Sequence, residues 1–399
     1  MNIKEDFDKY ILKTYNRFDL CFVSGKGVYL YSDTGKEYLD FASGIAVSSL
    51  GHSNKAMVDA INKQAKQLIH TSNLYYNLPQ LELAKKLVEK SVFQKVFFCN
   101  SGAEANEGAI KLARKFGKAN GGEKKYQIIT MKNSFHGRTI TTLSATGQTK
   151  YQKGFEPMTE GFTYVELNNI KELREKFNEN VCAVIIEPVQ GEGGINPATN
   201  NFIKETRALC DKYNALLIYD EIQTGIGRTG KLFGYEHFLP VEPDIVTLAK
   251  GLGGGLPIGA FLLKEKLKSF LTPGEHASTF GGNLLTTTAA KVVLEQIEKK
   301  KLLSKVKRNG DYFKRSIKKL KTTHKSIIDV RGLGYLLGIQ IDFPARDMIN
   351  SLISKNIVAI PAGENVVRLM PPLIAEKKHF DIVINAIDQI LTEREKNEK

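Results

Sequence analysis

"DIVTLAKGLGGGLPIGAFLL", Asp244–Leu263, decides how the rest of the chain is read. An apolar run ends in Lys250, glycines and Pro257 follow, and a second apolar run closes the stretch. Strands that are apolar throughout, without polar–apolar alternation, belong in a largely parallel sheet covered on both faces. A lysine closing such a strand has a plain reading, an amine reaching into solvent. It also has a chemical one, an amine set at the bottom of a site as the nucleophile for Schiff-base chemistry.

The same kind of run recurs at "KVFFCN" (95–100), "YQIITMK" (126–132), "FTYV" (162–165), "VCAVIIEP" (181–188) and "ALLIYDE" (215–221), with 244–250 and 258–263 making seven. Helical patterns such as "EANEGAIKLARKFG" and "FIKETRALCDKYN" lie between them. Strands alternating with helices predict an α/β domain, a mostly parallel seven-stranded sheet sandwiched by helices. "GVYLYSDTGKEYLDF" predicts a hairpin around an Asp-Thr-Gly turn. The expected organisation is an N-terminal arm and small-domain segment (1–45), a large α/β domain (46–265), and a connecting helix with a smaller α+β domain (266–399).

Composition narrows the classes. The chain has 399 residues, 42% hydrophobic and 25% charged, which is globular. No apolar run approaches the ~20 residues that span a bilayer, and the N-terminus lacks a signal-peptide core. The expectation is a cytoplasmic protein with no membrane partner. Four scattered cysteines show no C-x-x-C pair, and the histidines show no metal-ligand spacing, so no metal is expected. The net charge of +14 raises the question of nucleic acid. The excess is concentrated in Lys291–Lys325, where Leu294, Ile297, Leu302, Leu303 and Val306 follow helical spacing. An amphipathic helix with a solvated basic face explains this, and no nucleic-acid partner is expected.

Ligands of such sheets bind beyond the carboxyl ends of the strands. There the sequence sets Ser101, Gly102 and Ala103, then Asn133, Phe135, His136 and Arg138, then Glu187, Asp220 and Lys250. Ser101 and Glu104 have capping-box spacing, and small residues at a helix start also admit an anion to the free N–H groups. "GIGRTGKL" (225–232) imitates a P-loop, but Leu232 stands where a magnesium-binding hydroxyl is needed. Asp220, Phe135, Arg138 and Arg368 each have an ordinary reading as turn, core or surface residues. An anion cradle, an aspartate such as Asp220 and an aromatic ring such as Phe135 around Lys250 are what pyridoxal phosphate requires.

"SGAEANEGAIKLAR", "SFHGRT", "IIEPVQGEGG", "YDEIQTGIGRTG", "TLAKGLGGGLPIGA", "HASTFGGN" and "VVRLMPPL" occur in the order found in class III, fold type I aminotransferases. The chain resembles that family from about Tyr15 to its last helix. "DFASGIAVSSLGH" and "LIHTSNLYYN" are most similar to the branch acting on acetylornithine. The resemblance implies that Lys250 carries pyridoxal 5'-phosphate covalently, Asp220 pairs with the pyridine nitrogen and Gln223 meets the ring hydroxyl. It implies that Phe135 stacks on the ring, while Ser101, Gly102 and Ala103 hold the phosphate. Relatives often have threonine at the position of Ala103. Thr279 would reach the phosphate of a neighbouring subunit, so a homodimer with shared active sites is expected.

On the substrate side the resemblance implies that Arg138 grips the carboxylate far from the reacting amine, helped by Ser278 and Tyr15. Arg368 would bind the carboxylate beside the reacting carbon of glutamate or 2-oxoglutarate. Glu192 would pair with Arg368 when no such carboxylate is present. The expected reaction is ping-pong transfer of the δ-amine of N2-acetylornithine to 2-oxoglutarate, as in arginine biosynthesis, with Lys250, Asp220 and Glu192 as catalytic residues. Alternatives are ornithine, 4-aminobutyrate or succinyl-diaminopimelate as donor, a same-fold aminomutase, or a nucleic-acid-binding or NTP-using protein.

Overall fold

A computed structural model describes residues 3–397; the outermost two residues of the ranges 1–45 and 266–399 lie outside it. All seven apolar runs are strands of one sheet. Its order across the sheet is Lys95–Cys99, Gly259–Leu263, Ile245–Leu248, Leu216–Asp220, Val181–Ile186, Gln127–Met131 and Phe162–Val165. Only Gly259–Leu263 runs against the rest. Every residue of Val181–Ile186, Leu216–Asp220, Ile245–Leu248 and Gly259–Leu263 is buried, because helices cover both faces. The reversed strand pairs Gly259 with Cys99, so Pro257 and Ile258 enter at the rim where the parallel strands end.

The helix Gly102–Gly121 lies on this sheet and begins at that rim, with Ser101 as its N-cap accepting from the Glu104 N–H (3.2 Å). The Glu104 carboxylate accepts from the N–H of Asn100 instead of that of Ser101, a variation on the expected capping box. Gly117 is where this helix comes closest to its neighbours: a Cβ there would stand 2.2 Å from the Lys125 carbonyl oxygen and 2.4 Å from Cys182 Cβ. Gly117→Ala is therefore expected to destabilise the fold by about 1–3 kcal/mol. A lower urea midpoint at unchanged slope is the check; an unchanged midpoint would mean that the helix can shift freely at this point.

The hairpin is present, with strands Tyr29–Ser32 and Glu37–Asp40 and Gly35 at φ +77 in the turn. It joins Phe22–Lys26 and Ile357–Val358 in a four-stranded sheet built from both ends of the chain. The arm begins with a helix, Ile3–Tyr10. A second four-stranded sheet, Ile327–Leu333, Leu336–Ile341, Val366–Leu369 and Ile360–Pro361, carries Arg368. The chain ends in the helix Lys377–Asn397. No helix among the described residues is long and apolar enough to cross a membrane.

The basic stretch corrects the expectation of one helix. It is two helices, Leu284–Lys299 and Leu302–Leu320, broken where Lys301 adopts a left-handed φ of 51. Apolar spacing carries across the break because Leu294, Ile297, Leu302 and Val306 all reach the core, while Lys301, Lys307, Lys318 and Lys319 are exposed. "GIGRTGKL" forms turns with no α-helix after it. Its Arg228 is buried and donates to the carbonyls of Tyr335 and Pro371.

Candidate active site

A cavity of about 440 Å³ opens at the carboxyl rim of the sheet. Ser101, Gly102, Ala103, Phe135, Arg138, Glu192, Asp220, Gln223 and Lys250, nine of the residues expected at a site, line it together with His136 and Glu187. They come from six separated segments. The chain assembles them because its parallel strands all end on this side.

Lys250 lies two residues beyond the strand Ile245–Leu248 and opens a short 3-10 turn with φ +42, a conformation unusual for a residue with a side chain. It is not a strand residue, as the sequence predicts. Its Nζ makes no hydrogen bond or ion pair among the described residues. Burial lowers its pKa from the ordinary lysine range, against the opposing pull of Glu192. The glycines after it do a different job from clearing ligand space. A Cβ on Gly251 would meet Ser49 Oγ at 2.7 Å, and one on Gly253 would meet the Leu256 carbonyl oxygen at 2.0 Å. They permit a tight turn packed on a neighbouring loop; only Gly255, at φ +130, both lines the cavity and faces open space.

Asp220 ends the strand Leu216–Asp220 and is almost fully buried. Its Oδ2 accepts from Asn106 Nδ2 (2.7 Å) and His136 Nδ1 (2.8 Å), and its Oδ1 accepts from the Ile222 N–H (3.1 Å). Burial opposes a charge on His136, yet Asp220 outweighs it and raises the imidazole pKa. Asn106 also donates to the His136 carbonyl (2.7 Å). Asn106 is absent from the sequence reading, although an asparagine within the apolar face of "EANEGAIKLAR" is a signal: such a group is buried only when it has a partner.

Arg368 stands just behind the lining, 3% exposed, and its strand points it at the loop after Gln190. It pairs with Glu192 through two bonds, Nη1–Oε1 at 2.6 Å and Nη2–Oε2 at 3.1 Å. Nη1 also donates to the Gly191 carbonyl (3.0 Å) and Gln223 Oε1 (3.1 Å), while Nε has no partner among the described residues. Burial pushes the Glu192 pKa up, but Arg368 more than offsets it and holds the carboxyl below its usual range. Arg138 is different. It is exposed at the mouth, with its guanidinium 4.2 Å from the Tyr151 ring centroid and 5.3 Å from that of Phe135, and no carboxylate partner among the described residues.

Three expected residues are not brought into the cavity. Ser278 lies behind it, its Oγ accepting from Asn100 Nδ2 at 3.1 Å. Thr279 is exposed on the same loop and does not line the cavity. Tyr15 is 71% exposed, because the arm holds its ring against Arg17 instead.

Residues 10–391 match the family model "Aminotransferase class-III". The acetylornithine aminotransferase of Caldanaerobacter subterraneus subsp. tengcongensis is 50% identical over 96% of this chain and 98% of its own. That of Methanocaldococcus jannaschii is 49% identical over 97% of each. Among solved structures, the ornithine aminotransferase of Toxoplasma gondii, described with partial occupancy of PLP at its active site, superposes with a TM-score of 0.96 at 30% identity, covering 100% of this chain and 95% of the other. The acetylornithine aminotransferase of Elizabethkingia anophelis gives 0.87 at 33% identity, covering 98% of each.

Proposed function

Because the chain belongs to the class-III aminotransferases, we propose that it transfers the δ-amino group of N2-acetylornithine to 2-oxoglutarate, giving N-acetylglutamate 5-semialdehyde and glutamate, a step of arginine biosynthesis. The relatives' names favour this donor. The observation that carries the reading is the Glu192–Arg368 pair beside Lys250. An ω-amine has no carboxylate next to its reacting carbon, whereas glutamate has one. A site serving both must cover Arg368 in one half-reaction and expose it in the other, since an unpaired buried charge is costly.

The residues present fit pyridoxal 5'-phosphate. Lys250 offers an unpartnered amine, Asp220 a buried carboxylate, and Phe135 a ring on the cavity wall. The start of the helix Gly102–Gly121, with Ser101, Gly102 and Ala103, offers N–H groups to a phosphate. Gln223 stands at hydrogen-bonding distance from the Arg368 guanidinium, where it can also meet a ring hydroxyl. When bound, the cofactor supplies an electron sink for the amine-bearing carbon. Asn106 and His136 hold the Asp220 carboxylate in place for its pyridine-nitrogen partner. Lys250, made easier to deprotonate by burial, serves as nucleophile and then carries a proton to and from the reacting carbon. Arg138, with no carboxylate partner among the described residues, grips the distal carboxylate with a two-pronged fork, with Ser278 and Tyr15 assisting. The exposed Thr279 serves the phosphate site of a neighbouring subunit in a cytoplasmic homodimer.

The direct test is the visible absorption of the purified protein with N-acetylornithine, ornithine and 4-aminobutyrate added separately. Fastest bleaching by N-acetylornithine is expected. A faster response to another amine replaces the donor, and no cofactor band after addition of pyridoxal phosphate removes the role of Lys250. Asn106→Ala is expected to lower kcat about ten-fold and to loosen cofactor retention on dialysis, the scale of one hydrogen bond to a charged group. Wild-type values for both would show that His136 alone suffices to hold Asp220.

A further inference from the structure

Glu187 is a buried carboxylate at the cavity wall that none of the steps above uses. It follows the strand Val181–Ile186, and its two oxygens are divided between two loops. Oε1 accepts from the Phe135 N–H at 2.8 Å, and Oε2 accepts from the Gly191 N–H at 2.9 Å. The first loop carries Phe135 and Arg138, whose guanidinium leans on the Phe135 ring. The second carries Glu192, and its Gly191 carbonyl accepts from Arg368. One side chain thus ties the loop bearing one substrate-gripping arginine to the loop that covers and uncovers the other. The second loop is closely packed beside this contact: a Cβ on Gly191 would stand 2.0 Å from Gln223 Oε1, and Gln190 Nε2 donates to the Lys132 carbonyl at 2.8 Å.

We propose that Glu187 is a positioning residue that sets the spacing between the Arg138 loop and the Gly191–Glu192 loop, and so the length of dicarboxylic substrate the site accepts. This rests on the roles proposed above for Arg138 and Arg368. A carboxyl group suits this place because each of its two oxygens can accept from one of the two N–H groups; burial pushes its pKa up to about 7, and His136 and the two N–H bonds oppose that rise. Glutamine would satisfy one and turn an NH₂ toward the other. Aspartate keeps the charge but is one methylene short of reaching both loops.

The test uses holoenzyme and single-turnover mixing of each half-reaction, for wild type, Glu187→Gln and Glu187→Asp. In both variants the half-saturating concentrations of N-acetylornithine and of 2-oxoglutarate are expected to rise about ten-fold, the equivalent of one lost hydrogen bond to a charged group. The limiting rates at saturation and the cofactor absorption should stay close to wild type. The preference between 2-oxoglutarate and its one-carbon-longer and one-carbon-shorter analogues should also relax. A fall in limiting rate confined to Glu187→Gln, with Glu187→Asp like wild type, would mean that the residue acts through charge and overturns the proposal. So would wild-type half-saturation in both variants, or loss of cofactor binding in both, which assigns Glu187 to the scaffold. Failure of wild type to accept N-acetylornithine refutes the donor assignment, whereas the ratio of variant to wild type with 2-oxoglutarate still reads Glu187.

Discussion

Lys250→Ala is expected to lower turnover by at least about 10⁴-fold, the upper range for a positioned proton-transfer group alone. The protein should still fold and still bind pyridoxal phosphate, since Asp220, Phe135 and the helix start at Gly102 are untouched. Among the described residues the side chain makes no hydrogen bond or ion pair whose loss would cost stability. Its removal takes an ill-solvated amine out of the cavity, so the melting temperature should hold or rise. Part of the activity should return with a small primary amine, which can stand in for the missing Nζ. The decisive measurement is steady-state transamination of N-acetylornithine by the variant. Appreciable turnover without added amine would transfer the nucleophile to another residue.

Glu192→Ala should separate the two halves of the reaction. With Glu192 gone, Arg368 keeps its bonds to Gly191 and Gln223 but loses its only carboxylate among the described residues. During the amine-donor half-reaction an uncovered guanidinium remains in a confined site. It also competes with Arg138 for the substrate's single carboxylate. Breaking one side of a buried ion pair costs about 3–5 kcal/mol, which corresponds to about 10²–10⁴-fold in rate. The loss is expected in the half-reaction with N-acetylornithine. Turnover with 2-oxoglutarate, which brings its own carboxylate to Arg368, should change little or become faster. Stopped-flow measurement of each half-reaction separates these outcomes; equal losses in both would mean that Glu192 does not act as a removable cover.

The sheet was legible because burial on both faces writes itself into the chain as uninterrupted apolar runs, and all seven runs are strands within one or two residues of their expected ends. The residues gathered at the rim were legible for a related reason: parallel strands put their carboxyl ends on one side, so whatever follows each strand converges. Apart from the Glu192–Arg368 pair that the resemblance implies, the sequence could not show which partner each rim residue takes. Asn106 looks like an ordinary helical position until the helix is laid on the sheet beside Asp220. Glu187 looks like a strand-end acid until two distant loops present their N–H groups to it. The break at Lys301 is invisible to periodicity, because both helices keep their apolar residues on the same core.

The sequence by itself therefore determined the class of fold, the aspartate at its strand end, a lysine just past another, and the small residues at the start of the helix Gly102–Gly121. These follow from local chemistry and from the period of burial. Tertiary structure alone decided that Asn106 reaches Asp220, that Glu187 bridges two loops, and that the glycines after Lys250 serve a tight turn packed on the loop near Ser49. Each of these depends on residues far apart in the chain being held within hydrogen-bond or van der Waals range. Such distances are set by how the sheets and helices pack, and no spacing along the chain encodes them.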